Sequence, residues 1–118
     1  MPDGATLVLI ICASDITFLT NFSGDKKAWP IYMTIGNILS STRNSPSKHS
    51  TVLLALLPVP PKMLGVAARD AQQRQDNNEI LCKLMEAIFA PMASLGNSGI
   101  EVECANGKAQ LCFPRLAA

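Results

Sequence analysis

Among the 118 residues, Asp15 is the carboxylate with the most chemical promise. It follows directly on the apolar run Leu7–Ala13, so a rigid strand would hold it at the mouth of a sheet. Metal-dependent nucleases need that arrangement. Carboxylates on different elements converge on two Mg²⁺ ions about 3.5–4 Å apart, which activate a nucleophile and stabilise the leaving oxygen. The plainer alternative is that Asp15 caps or turns the chain after the strand.

The remaining candidates divide in the same way. Ser23-Gly-Asp-Lys-Lys27 lacks the G-x-x-x-x-G-K-[ST] frame of a phosphate loop and reads as a solvated turn. Glu101 and Glu103 share one face of an alternating strand, where paired carboxylates serve acid–base chemistry or simply meet water. His49 lies in a Ser- and Lys-rich loop with no acid or nucleophile nearby, so it reads as a surface histidine. Lys26, Lys27, Arg43, Lys48 and Arg74 are either phosphate contacts or a solubilising face. Cys12, Cys82, Cys104 and Cys112 contain no Cys-x-x-Cys pair, and His49 has no partner at ligand spacing, so zinc is not expected. Buried thiols are expected instead, with two disulfides in a small secreted protein as the weaker reading.

The elements that would position these residues follow from hydropathy. Thr6–Ser14 reads as a central strand covered on both faces. Trp29–Ile35 reads as a second strand, which Pro30 confines to a strand start or an unpaired edge. Residues 40–50 read as a loop, and Thr51–Val59 as a third strand closed by prolines. Residues 62–77 are polar and read as a linker, or as weakly helical. From about Asn78 to Leu95, Ile80, Leu81, Leu84, Met85, Ile88, Phe89 and Met92 recur at helical spacing. Pro91 is expected to kink or end that helix near Ala90, and Gly96-Asn97 to stop it. Ile100–Cys104 and Lys108–Phe113 read as a hairpin around Asn106-Gly107, a two-residue turn with both central φ positive.

Composition fits a core better than a whole domain. Hydrophobic residues make up 48% and charged ones 16%, against about 25% charged in ordinary domains. That balance argues against intrinsic disorder. The net charge of +1 is unlike a free-standing nucleic-acid binder, whose pI normally exceeds about 9. The seven-residue run Leu7–Ala13 is far short of the roughly 20 residues a membrane span needs. No Lys or Arg precedes it, so a secretory signal is not expected.

Taken together, these segments resemble the start of the catalytic region of Plavaka-type transposases, in the Kyakuja–Dileera–Zisupton group of DDE transposases of fungal genomes. The residues that carry the resemblance are Asp3-Gly-Ala-Thr6, Ala13-Ser-Asp-Ile-Thr17, Asn21-Phe-Ser-Gly-Asp-Lys-Lys-Ala-Trp-Pro30, Tyr32-Met-Thr-Ile-Gly-Asn-Ile38 and Leu53-Leu-Ala-Leu-Leu-Pro-Val59. The helix and the hairpin also fit. Ile16 and Leu56 depart from the family, which usually has a basic and an aromatic residue there.

The resemblance implies an α/β fold that is a partial RNase H-like domain: three antiparallel strands, a helix, then a further strand or hairpin. It implies that Asp15 is the first acidic residue of the DDE set and a Mg²⁺ ligand in the intact parent. The second acidic residue is expected shortly beyond 114–117, so the chain is read as a truncated first half. DNA is the implied partner, with Lys26 and Lys27 as candidate contacts, and an intact transposase is another. Such a chain is expected to be inactive alone, to need no cofactor and to self-associate. Nuclear residence is expected for a working transposase and cytoplasmic residence otherwise. A domesticated DNA- or protein-interaction module is the alternative.

Overall fold

A computed structural model describes residues 1–19, 26–60, 65 and 67–117. Among the described residues six strands form a mixed sheet: β1 (Thr6–Ser14), β2 (Thr17–Phe18), β3 (Lys27–Ile35), β4 (Thr51–Leu57), β5 (Ile100–Glu103) and β6 (Ala109–Leu116). A short helix, α1 (Ser40–Arg43), precedes β4, and a long one, α2 (Ala67–Ser98), precedes β5. β1, β3 and β4 form an antiparallel meander, and β6 lies parallel to β1 on its other edge, with β5 outermost. The expected α/β class is present.

The helix lies over one face of the sheet. Gly96 abuts the carbonyl of Pro114, which pairs with Val8. Ile10, Ile31, Leu57 and Cys112 share that face by strand alternation and, with Phe113, form the buried apolar core of the described residues. The opposite face is open. Leu7 and Leu9 are 40% and 38% exposed there, beside exposed Tyr32 and Leu53. β1 is therefore central in the sheet but covered on one face only, not on both. A radius of gyration of 18.7 Å, against about 13 Å for a compact chain near this length, fits this single-layer cover.

Several local expectations are corrected. α2 begins at Ala67, so most of the polar 62–77 stretch is helix rather than linker; residues 61–64 and 66 lie outside the described residues. Pro91 does not end it. Proline removes one N–H, and because Pro91 is exposed, the carbonyl it frees one turn earlier can bind water. Gly96 is not the stop either. It is buried within the helix, where a Cβ would lie 2.8 Å from the Pro114 carbonyl oxygen. The stop is Gly99, at φ +76°, whose N–H bonds the Leu95 carbonyl at 2.8 Å.

The 40–50 loop contains α1 and a 3₁₀ turn at Pro46–Lys48. The hairpin turn is a three-residue one. Gly107 alone has positive φ, 75°, and its N–H bonds the Cys104 carbonyl, while Asn106 Oδ1 accepts from the Lys108 N–H. Ile100 and Val102, the apolar alternation of β5, stay 40% and 41% exposed. The four cysteines are free thiols; Cys112 is buried, Cys12 and Cys104 half-buried and Cys82 exposed, so burial holds for only part of the set.

Candidate functional site

The position of Asp15 is set by a proline on the neighbouring strand. Ser14 pairs with Ile31 and Thr17 with Ala28, so the register runs unbroken and places Asp15 opposite Pro30. Pro30 is buried inside β3 and paired with Leu56 on its other edge; it is neither a strand start nor an edge residue. Its carbonyl is turned toward β1, where Ser14 Oγ donates to it at 3.0 Å. In a strand, a residue's N–H points to the same side as its C=O. Proline at this place therefore removes the N–H that would bond the Asp15 carbonyl, and the strand breaks into β1 and β2 there.

The carboxylate consequently sits at an interruption of the ladder, held from both sides and exposed. By alternation it lies on the open face, at the end of the row Leu7, Leu9, Ile11, Ala13. Among the described residues no three His, Cys, Asp or Glu side chains come together as a metal-holding group. These residues do not by themselves fit a Mg²⁺ site: one carboxylate supplies too few of the oxygens that Mg²⁺ requires.

A second device fixes the row that leads to Asp15. Beyond β3, the Gly36 N–H bonds the Leu9 carbonyl at 2.7 Å. The Asn37 side chain then accepts from the Leu9 N–H at 2.8 Å and donates to the Leu7 carbonyl at 2.9 Å. In the sequence Gly36-Asn37 reads only as the end of the strand Trp29–Ile35. The signal available was an Asn straight after a strand, a residue whose amide can replace a backbone pair.

The other candidates are dispersed. Lys27 places its ammonium 4.7 Å from the centre of the Phe18 ring, a cation–π contact that ties β2 to β3, and Lys26 is exposed beside it. Glu101 and Glu103 are exposed on β5, and Arg74 is exposed on α2. His49 is exposed at φ 49°. It shares a cleft with Arg43, whose Nη1 donates to the Gly36 carbonyl at 3.4 Å. Burial pushes the Cys12 thiol above its ordinary value of 9.0, which makes it a poor nucleophile at neutral pH. Among the described residues no helix is long and apolar enough to cross a membrane.

No curated protein matches the chain, and no solved structure does. The strand-borne aspartate, its proline-made gap and the meander beneath them all fall within segments that carry the resemblance noted from the sequence. A family model described as Plavaka transposase matches residues 1–118, the whole chain, and the protein therefore belongs to the Plavaka transposase family.

Proposed function

We propose that this transposase-derived chain is the first part of a DDE catalytic domain of RNase H-like architecture. The parent activity in this reading is Mg²⁺-dependent DNA cleavage and strand transfer, with Asp15 as the first acidic ligand. The observation that carries it is the setting of Asp15, a carboxylate at the end of a central strand, on an open face, at a ladder gap. The order of the sheet also supports it, because a three-stranded meander is followed by a helix and then by a hairpin whose second strand, β6, is parallel to β1.

In this reading the chain is catalytically inert alone. A lone aspartate binds Mg²⁺ too weakly to assemble a two-metal centre, and the open face carrying Leu7, Leu9, Tyr32 and Leu53 is where the rest of such a domain would pack. Its partners are DNA and an intact transposase, and a working assembly would act in the nucleus. The test has two arms. The purified chain, given Mg²⁺ and supercoiled plasmid, is expected to leave the plasmid intact; Asp15-dependent nicking would falsify the inert reading. An intact family member with Asn at the position matching Asp15 is expected to lose cleavage, and retained cleavage removes Asp15 from the catalytic set.

The open apolar face also favours a second reading, a domesticated non-catalytic interaction module. A stable, stoichiometric complex of the purified chain with an intact transposase, abolished by Leu9→Lys, would select it.

A further inference from the structure

Charge is segregated along this chain in a way the net value of +1 conceals. Residues 26–69 contain Lys26, Lys27, Arg43, Lys48, Lys62 and Arg69, and no Asp or Glu. Within that stretch the fold builds a polar cleft of about 270 Å³ from α1, the following turn and the start of β4. Arg43, Asn44, Ser45, His49 and Ser50 line it. The one described guanidinium bond, to the Gly36 carbonyl, anchors Arg43 to the end of β3, and its other N–H groups have no partner among the described residues.

The walls are held in place. Ser50 Oγ donates to the carbonyls of Thr42 and Arg43 at 3.3 and 3.2 Å, and Thr34 Oγ1 donates to the Ser50 carbonyl at 2.7 Å. His49, the single non-glycine residue of positive φ among the described residues, ends the 3₁₀ turn and lines the cleft. A guanidinium with unpartnered N–H groups and a histidine ring, with no carboxylate lining the cleft, match the oxygens of a phosphate group.

We infer that this cleft holds a backbone phosphate of nucleic acid, with Arg43 as the charged anchor and exposed Lys48, on the 3₁₀ turn directly before the lining residue His49, as a second contact. The choice of nucleic acid over free phosphate rests on the DNA-handling reading above; the phosphate chemistry rests on the cleft alone. One seated phosphate is a sequence-independent contact, so it contributes affinity and salt dependence rather than base recognition.

Fluorescence anisotropy of a labelled short duplex, titrated with the full chain at several salt concentrations, tests the assignment. Arg43→Gln and Lys48→Gln are each expected to weaken binding roughly fivefold at about 0.1 M salt and to lower the salt slope by about 1. Lys83→Gln, on α2 outside the basic stretch, is expected to change neither. Lys48 is exposed, so its variant keeps the test decisive if Arg43→Gln fails to fold. Equal affinity in wild type and Lys48→Gln overturns the inference, and so does an equal loss in Lys83→Gln. Inorganic phosphate that binds while the duplex does not overturns the assignment to nucleic acid. Loss of the Asp15 role in an intact relative leaves these results unchanged, so the two readings fail separately.

Discussion

The Asn37 side chain clasps Leu9 across the end of the β1–β3 pair, accepting its N–H at 2.8 Å, and reaches on to the Leu7 carbonyl at 2.9 Å. An amide that both donates and accepts imitates one more residue of strand. The clasp extends the pairing of β1 past Ile35, where β3 has already turned away at Gly36. Asn37→Ala is expected to destabilise the fold by about 1–2 kcal/mol, the net worth of two hydrogen bonds. Asn37→Asp keeps the acceptor, loses the donor, and should fall between. Urea midpoints measure both, and an unchanged midpoint for the alanine variant discards the clasp.

Gly96 offers a test of sign. Helix propensity alone says that Gly96→Ala stabilises α2 by about 1 kcal/mol. The new Cβ, however, would stand 2.8 Å from the Pro114 backbone oxygen, a neighbour that cannot rotate away. Destabilisation of roughly 1–3 kcal/mol is expected instead. A more stable alanine variant in thermal unfolding would mean that α2 does not sit this close to β6.

Pro30→Ala restores an N–H facing Asp15. The new amide should bond across the gap and join β1 to β2, so it should be as protected in hydrogen exchange as the ladder-bonded amides of β3 are expected to be. Rapid exchange there would refute the account of why the ladder breaks at Asp15. Asp15→Asn, at an exposed position with no described bond, should leave stability within about 0.5 kcal/mol.

The Cys12 thiol gives a pH signature. Its value is raised in the folded chain by burial, so the unfolded chain loses that proton first as pH rises. The contribution to stability is complete below the ordinary value of 9.0 and is lost as pH climbs through the raised one. Stability should therefore decline above about pH 9, and Cys12→Ala should flatten that part of the decline. An identical alkaline slope in the variant removes the effect. At neutral pH exposed Cys82 should be alkylated ahead of Cys12 and buried Cys112.

β4 is expected to drive self-association. Its sequence, Thr-Val-Leu-Leu-Ala-Leu-Leu, carries no charge, and Val52, Leu53 and Leu56 are 48%, 54% and 64% exposed. Leu53→Lys with Leu56→Lys should shift the chain toward monomer in light scattering at equal concentration. An unaltered mass distribution would place the association elsewhere.

Local chemistry in the sequence was enough for the strands, for the apolar stripe of α2 and for Asp15 at the end of β1, because hydropathy period and turn residues act over a few positions. The same locality explains the misreadings. Gly96 and Pro91 are breakers by propensity, yet packing against β6 and an exposed back face let the helix run through both. Pro30 announces a break, but only the register shows that the break falls on Asp15. Arg43 and His49 are isolated polar residues in a loop until α1 and the 3₁₀ turn fold them into one cleft. The sequence by itself determined which residues could do chemistry and which elements carry them. Tertiary structure alone decided which of them meet and which face of the sheet stays open, because contacts between residues far apart in the chain depend on pairing register and layer packing, which no local pattern encodes.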